Sequence, residues 1–173
     1  MSEAGEFQII EQFFTYPSFG AWKSQGVGDD CAIIDTGAGR LAVTCDMTAL
    51  GTHFFPDADP EDVGYKALAV NLSDLAAAGA VPRAFFLSIG LPRRDDGWLA
   101  DFSRGLMALA HESGCALLGG DTTRTPEIDG RHAPATISIT AMGDLPAGMG
   151  LTRSGAQPGD DIWVSGTAVS YTH

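Results

Sequence analysis

The sequence predicts an α+β domain in which a mixed β-sheet packs against two long helices. Two segments, 60–78 and 96–113, repeat their apolar residues at helical spacing. At least four short apolar runs, each bounded by glycine, proline or aspartate, have the composition of strands. The chain has 173 residues, 45% of them hydrophobic, which is enough for one domain with a substantial core.

The first long helix has clear boundary signals. Asp59 is the predicted N-cap, Pro60 the first helical residue, and Asp62 the carboxylate of the first turn. Gly79 is the residue expected to end the helix in the left-handed conformation. Because the segment between them is apolar and rich in alanine all round, we expect a buried helix.

Three polar residues, Asn71, Ser73 and Asp74, interrupt the end of this apolar helix. A buried carboxylate is costly unless it is paired, hydrogen-bonded or bound to a cation. One interpretation is therefore a functional group held at the helix end. The alternative is that Ser73 or Asp74 caps a local break in the helix, since these residue types favour caps.

The other elements follow from apolar runs that end at turn-forming residues. In the second long helix, Trp98, Phe102 and Leu106 are expected to pack in the core, and Gly114 is expected to end it. The remaining predictions, in chain order, are a helix at 5–14, a loop at 16–25, a glycine-rich turn and strand at 26–34, a hairpin turn at 36–39, strands at 40–46, 84–91 and 115–118, a second Gly-Asp turn at 119–123, a flexible loop at 126–134, a strand at 135–142, a turn-rich connection at 151–160 and a strand at 161–165.

Composition excludes several classes of function. The net charge of −12 argues against a nucleic-acid partner, because contacts to a phosphate backbone need Lys and Arg. No stretch of about 20 residues is free of polar side chains, so no membrane span is predicted, and the acidic start lacks a signal-peptide pattern. Three cysteines, Cys31, Cys45 and Cys115, without a CxxC motif predict reduced thiols in a cytoplasmic protein.

Carboxylates recur next to Gly, Thr or Ser at the predicted ends of strands or helices, at Asp29/Asp30, Asp46, Asp74 and Asp121. If these ends converge, the crowded negative charge needs cations. All-oxygen ligands favour Mg²⁺, which proteins usually share with substrate phosphates, so a nucleotide site is a reasonable hypothesis. The alternative is that each cluster is a solvated turn, where Asp and Gly are common.

The familiar phosphate-binding and nucleophilic motifs do not occur. The sequence has neither GxxxxGK[ST] nor GxGxxG, and no Ser/His/Asp triad follows from the spacing. His53, between Gly51 and Phe54, is either a surface residue or a contact to a substrate phosphate. Arg153 is either a plain surface charge or a phosphate-binding fork.

The motifs taken together resemble the thiamine-monophosphate kinase family, which belongs to the ATP-using superfamily of aminoimidazole ribonucleotide synthetase and selenophosphate synthetase. They cover the chain from residue 5 to about 167 in the family's order. The matching stretches are Gly5-Glu6-Phe7, Gly28-Asp29-Asp30-Cys31-Ala32, Asp46 with Gly51-Thr52-His53-Phe54, residues 65–77, Gly119-Gly120-Asp121-Thr122 and Leu151-Thr152-Arg153-Ser154-Gly155-Ala156.

The resemblance implies transfer of the ATP γ-phosphate onto thiamine phosphate, giving thiamine diphosphate. It implies ATP contacts at Gly120, Asp121 and Arg153, and a substrate contact at His53. It implies Mg²⁺ ligands at Asp30, Thr44, Cys45 (through its backbone), Asp46, Asp74 and Asp121. It also implies the superfamily's amino-terminal α+β domain, whose sheet pairs with a second copy to form a homodimer and so covers an exposed sheet edge.

Two departures from the family pattern accompany the resemblance. Residues 47–50 lack the small and acidic character expected before Gly51. The family also continues for about another domain, so we expect residues 1–167 to be an ATP- and Mg²⁺-binding amino-terminal domain, 168–173 an atypical truncated tail, and the carboxy-terminal domain to be absent. The alternatives are a catalytically silent Mg-nucleotide-binding dimerisation domain, or another ATP-using enzyme of the superfamily.

Overall fold

The computed structural model describes residues 24–25 and 29–163. Its centre is a six-stranded mixed sheet with the strand order β1-β2-β3-β8-β4-β5, in which only the β4–β5 pair is parallel. A separate two-stranded hairpin pairs β6 with β7. The strands are β1 (Ser24–Gln25), β2 (Ala32–Asp35), β3 (Arg40–Ala49), β4 (Val81–Leu91), β5 (Ala116–Arg124), β6 (Glu127–Ile128), β7 (Arg131–His132) and β8 (Thr136–Leu145).

Two helices, α1 (Pro60–Ala77) and α2 (Asp96–Ser113), pack against each other and cover one face of the sheet. The predicted α+β fold, with a mixed sheet and two long helices, is thereby confirmed. Neither helix in the described part of the chain is both long and apolar enough to cross a bilayer.

The helix boundaries follow the predicted caps. The Asp59 carboxylate accepts a hydrogen bond of 2.9 Å from the Glu61 N–H, and Gly79 follows α1 with φ of +75°. At α2, the Asp95 carboxylate accepts from the Trp98 N–H at 3.0 Å, and Gly114 ends the helix with φ of +66°. These caps satisfy backbone groups that the helices themselves leave open.

The core lies between the helix pair and the sheet. Its largest fully buried side chains include Phe85 of β4, Phe102 of α2 and Leu68 of α1. The two helices touch through glycine: a Cβ at Gly64 would overlap the Phe102 carbonyl oxygen, and one at Gly105 would overlap the Glu61 carbonyl oxygen. The helices can therefore approach more closely than side chains would allow.

The opposite face of the sheet is open in the described part of the chain. Large apolar side chains remain exposed there, namely Met47 at 61% and Phe86 at 40%. Cys45 lies on this face, where the Thr140 hydroxyl contacts its Sγ at 3.3 Å. One face of the sheet is therefore buried against the helices, and the other is exposed and partly apolar.

Three predictions about α1 and the early chain need correction. Helix α1 is buried along one side only, because Tyr65, Lys66 and Ser73 are exposed. It has no break at Ser73 or Asp74, since it continues to Ala77. Of the predicted loop at 16–25, residues 24–25 instead form β1, while the predicted helix at 5–14 lies outside the described residues.

Four further corrections concern strands. β3 continues to Ala49, so Asp46 lies within a strand and not at its end. β5 runs through Gly119 and Gly120 to Arg124, so the predicted second Gly-Asp turn is strand, and the strand is exposed. The predicted loop at 126–134 contains the β6–β7 hairpin, whose turn has positive φ at Asp129 and Gly130. Residues 161–163 are not strand, and the rest of the predicted strand at 161–165 lies outside the described residues.

Candidate functional site

The half-buried carboxylate of Asp74 is held by strand β3. The Thr44 hydroxyl donates a hydrogen bond of 2.7 Å to Asp74 Oδ2. Thr44 is buried because it faces the helices from β3, and Asp74 lies in the last turn of α1. The polar residue in the apolar helix is therefore hydrogen-bonded at the junction of helix and sheet, and it does not cap a break in the helix.

Cys31 links the turn at Asp29/Asp30 to the end of α1. Its Sγ donates to the Asp74 carbonyl oxygen at 3.3 Å. Burial, followed by the negative charges of Asp74, Asp30 and Asp29, raises the pKa of the Cys31 thiol to about 12. Because Cys31 directly follows Asp30, its hydrogen bond to the Asp74 backbone places the turn at Asp29/Asp30 beside the end of α1.

Arg153, 123 positions beyond Asp30 along the chain, contacts both Asp29 and Asp30. Its guanidinium contacts Asp30 Oδ1 from Nη2 at 2.6 Å and from Nε at 3.2 Å, and its backbone N–H donates to Asp29 Oδ1 at 2.9 Å. The Arg153 hydrogen bond, the largest influence, holds the pKa of the Asp30 carboxyl below its ordinary value. Arg153 is therefore not a plain surface charge.

Asp46 lies two residues beyond Thr44 on the same strand, and hence on the same side of it. Its backbone N–H donates to the Asn71 Oδ1 at 3.2 Å, and the Asn71 amide donates in turn to the Ala67 carbonyl at 3.1 Å. Asn71 is fully buried. Sequence reasoning noticed this polar residue but gave it no role; the structure shows that it ties α1 to β3 beside the acidic group.

Strand β3 is also open along one edge here. β2 pairs with Arg40–Val43 only, so from Thr44 onward β3 has β8 as its one partner among the described strands. Backbone groups of this part of β3, which includes Cys45, can therefore serve as ligands. The Cys45 thiol itself points to the opposite face of the sheet, toward Thr140 and Ser138.

Asp121 does not join the other carboxylates in this structure. It lies on β5, which is separated from β3 by β8 and β4, or about 14 Å at the usual strand spacing. It lines a shallow cavity of about 330 Å³ together with Ser88 and Ser138. The neighbouring Gly120 brings β5 close to β4, because a Cβ there would overlap the Leu87 carbonyl oxygen.

His53 lies in a loop at the start of a second cavity, of about 290 Å³, which also includes Thr52, Asp62 and Lys66. The Ala49 N–H donates to His53 Nδ1 at 3.0 Å, and the Lys66 ammonium donates to the His53 carbonyl oxygen at 2.7 Å. Lys66 is a contact that sequence reasoning missed, and 13 residues of separation offered no signal for it.

The donor chemistry around Asp74 fits Mg²⁺. Its groups are carboxylate, hydroxyl and backbone oxygens, which Mg²⁺ prefers. Among residues 29–163, no three His, Cys, Asp or Glu side chains stand close enough together to hold one metal ion by themselves. Mg²⁺ usually takes one or two carboxylates and completes its shell with water and phosphate, so its site does not need three such side chains.

The fold and the site together define an α+β domain with an acidic, oxygen-rich surface site suited to a cation and its anionic ligand. The family model described as "AIR synthase related protein, N-terminal domain" matches residues 28–145, so the chain belongs to this family. The matched region begins just before Asp29 and ends with β8, and it includes every site residue described above except Arg153.

Relatives of known name are similar over nearly the whole chain. The thiamine-monophosphate kinase of Salmonella typhimurium is 44% identical over 165 residues, which are 94% of this chain and 48% of the relative. The crystal structure of thiamine-monophosphate kinase from Stenotrophomonas maltophilia K279a is 46% identical with a TM-score of 0.68, over 83% of this chain and 43% of that one.

A third similar protein carries ligands. The structure described as "AaThiL complexed with AMPPCP and TMP" is 28% identical with a TM-score of 0.68, over 75% of this chain and 40% of that one. The chain thus spans about half the length of the curated relatives it matches.

Proposed function

We propose that this chain is the ATP- and Mg²⁺-binding part of an enzyme that transfers the ATP γ-phosphate onto thiamine phosphate, giving thiamine diphosphate. The observation that carries the proposal is the convergence of Asp30, Asp74 and Thr44 with the Arg153 guanidinium. Similarity to a protein complexed with AMPPCP and TMP supports the choice of ligands. Phosphoryl transfer needs positioning and charge neutralisation more than covalent chemistry.

The chain's own residues divide into three roles in this proposal. Mg²⁺, when bound, supplies charge neutralisation between carboxylates and phosphates. Gly120, Asp121 and Arg153 would contact ATP, and His53 would contact thiamine phosphate. The Mg²⁺ ligands near α1 would be oxygen atoms of Asp30, Thr44, Cys45 (through its backbone), Asp46 and Asp74, whereas Asp121 on β5 lies apart from this group.

The hydrogen bonds of His53 support its role toward a phosphate. Because Nδ1 accepts from the Ala49 N–H, the neutral ring carries its proton on Nε2. That atom can donate to an oxygen of a substrate phosphate. The Lys66 bond to the His53 carbonyl holds the loop in which the ring sits, and adds a positive charge to the same cavity.

Three broader features belong to the proposal. Residues 1–167 form the ATP- and Mg²⁺-binding amino-terminal domain. The open sheet face, which exposes Met47 and Phe86, pairs with a second copy in a homodimer. The three free cysteines suit a cytoplasmic location.

One alternative has an observation of its own. The exposed apolar side chains Met47 and Phe86 on the open sheet face favour a second candidate, a domain that binds Mg-nucleotide and dimerises without catalysis. The two candidates predict the same nucleotide binding but different turnover.

The binding test uses Asp74→Asn. Asparagine can still accept from the Thr44 hydroxyl, so the variant removes a charge and keeps the hydrogen bond. We expect Asp74→Asn to weaken binding of Mg-AMPPCP, measured by calorimetry, by about tenfold or more. Asp101→Asn, on the exposed side of α2, loses the same charge and serves as the control. Equal affinity in Asp74→Asn and the unsubstituted chain would remove Asp74 from the site.

The turnover test separates the two candidates. The 173-residue polypeptide is incubated with ATP, Mg²⁺ and thiamine phosphate, and thiamine diphosphate is assayed. Because Asp30 and His53 are accessible to water in the described structure, their electrostatic contacts are weak and we expect little or no product. A rate of about one per second, usual for kinases, would show that these residues suffice.

A further inference from the structure

We propose that the Asp30–Arg153 ion pair opens when ligands bind, with Asp30 passing to Mg²⁺ and Arg153 to a nucleotide phosphate. This exchange of partners couples Mg²⁺ binding to nucleotide binding. The inference rests on the proposed function, which gives Asp30 to Mg²⁺ and Arg153 to a nucleotide phosphate. In the structure these two groups bind each other, at 2.6 Å between Arg153 Nη2 and Asp30 Oδ1. Each ligand therefore competes with this ion pair for its group.

The local geometry allows the guanidinium to leave without moving the chain. The Arg153 backbone N–H holds the Asp29 carboxylate at 2.9 Å, independently of the side chain. The two guanidinium hydrogen bonds to Asp30 both go to one atom, Oδ1, and the two side chains are 48% and 30% exposed. A partly exposed side chain can exchange one partner for another by rotation, while the main chain around Arg153 stays anchored.

The surrounding charges explain why exchange is needed. Arg153 binds both Asp29 and Asp30, and the Cys31 thiol next to Asp30 bonds the Asp74 backbone, so three aspartates lie around this turn. The Arg153 guanidinium offsets part of this charge. If a phosphate withdrew the guanidinium without a replacement, the carboxylates would repel one another and the incoming anion. A divalent cation arriving at the same moment supplies the missing positive charge.

The consequence is a coupling between two ligands. Mg²⁺ alone competes with the guanidinium for Asp30, and a metal-free nucleotide competes with Asp30 for the guanidinium. When both bind, the ion pair is broken once and each released group has a new partner. Each ligand therefore raises the affinity for the other, and coupling factors in proteins are typically about 5- to 150-fold.

The metal arm of the test uses Mn²⁺ alone as the probe, followed by electron paramagnetic resonance. Removing the competing guanidinium in Arg153→Gln should tighten Mn²⁺ binding about fivefold or more in the absence of nucleotide. Arg104→Gln is the matched control, because Arg104 also pairs with a carboxylate, Asp101 at 2.7 Å, and also carries one charge. Its Mn²⁺ affinity should equal that of the unsubstituted chain.

The nucleotide arm of the test substitutes the other member of the ion pair, Asp30. Asp30→Asn releases Arg153, so AMPPCP in excess EDTA should bind about fivefold tighter than to the unsubstituted chain, whereas Mg-AMPPCP should bind more weakly. The control is Asp101→Asn. A structural ion pair with no role in exchange would not produce gains of affinity in both arms. Circular dichroism of each variant confirms folding before binding is compared.

The outcomes separate the inference from the proposed function. If the unsubstituted chain and Arg153→Gln both fail to bind Mn²⁺ and Mg-AMPPCP, the proposed function fails and the inference with it. If the unsubstituted chain binds both ligands but neither substitution tightens binding, only the exchange is overturned. An equal gain in Arg104→Gln would assign the effect to net charge and would likewise overturn the exchange.

Discussion

Thr44 Oγ1 donates a hydrogen bond of 2.7 Å to Asp74 Oδ2, and this bond joins the middle of β3 to the last turn of α1. The two residues are 30 positions apart. Their hydrogen bond offsets part of the free-energy cost of burying the Asp74 carboxylate. A hydrogen bond to a charged group contributes about 1.5–3 kcal/mol. The bond therefore acts on stability as well as on the orientation of a proposed Mg²⁺ ligand.

Thr44→Val should test this bond directly. The substitution preserves shape and removes the donor, so we expect the free energy of unfolding to fall by about 1–3 kcal/mol, measured by urea denaturation. Thr44→Ser keeps the hydroxyl and loses one methyl group, which costs about 1 kcal/mol or less. If valine were tolerated as well as serine, the bond would contribute nothing to stability.

The contact between α1 and α2 predicts intolerance at Gly105. A Cβ there would overlap the Glu61 carbonyl oxygen, so Gly105→Ala must push the helices apart. Overpacking of this kind costs about 1–3 kcal/mol, which thermal denaturation would detect. Gly97→Ala is the control within the same helix, because its Cβ would meet only an Asp95 carboxylate atom at 3.6 Å. Similar melting temperatures for the two variants would contradict the close helix contact.

Alkaline pH should destabilise the fold through Cys31. Burial and the nearby carboxylates raise its pKa from 9.0 to about 12. Between these values the unfolded chain loses the thiol proton and the folded chain keeps it, so the free energy of unfolding falls as pH rises from about 9 to about 12. Below about pH 9 the thiol is protonated in both the folded and the unfolded chain, so the full contribution of Cys31 to the free energy of unfolding is present.

The measurement compares the unsubstituted chain with Cys31→Ala over this pH range. The difference in unfolding free energy between them should shrink as pH rises, because the variant has no thiol to ionise. Cys45→Ala, at an exposed cysteine, is the control. Parallel curves for the unsubstituted chain and Cys31→Ala would refute the effect.

The open sheet face predicts dimerisation. Light scattering at micromolar concentration should give twice the 18.1 kDa mass of one chain. Phe86→Lys places a charge on the open face and should shift the protein toward monomer. Tyr65→Lys, at a similarly exposed aromatic residue on α1, should leave the dimer intact. A light-scattering mass equal to that of one chain, for the unsubstituted protein, would contradict this prediction.

Much of the fold was predictable where the signal is local. The bounds of α2 were predicted at 96–113 and observed at Asp96–Ser113, because its apolar spacing and its Gly114 cap act within a few residues. The hairpin turn before β3 also follows local chemistry, with the Thr36 N–H bonded to the Gly39 carbonyl at 2.9 Å. The Asp129-Gly130 turn had the same kind of signal, but the short strands beside it lacked an apolar alternation.

Other elements depended on neighbours that no local window contains. Gly119 and Gly120 read as a turn, yet pairing with β4 draws them into a strand. Asp46 was expected at a strand end, yet β8 pairs with β3 along its full length and carries it to Ala49. In both places the hydrogen-bonding partner, and not the residue's own preference, decided the conformation.

The sequence by itself determined which residue types the site has: acidic residues beside small ones, an asparagine and an aspartate in an alanine-rich helix, and no P-loop. Those choices are chemical, and they can be read one residue at a time. Only the tertiary structure decided which carboxylates meet. It brought Asp30 to Arg153 across 123 positions and Asp74 to Thr44, and it left Asp121 on a separate strand. Such contacts depend on how strands are ordered and how helices pack, which is a property of the whole chain.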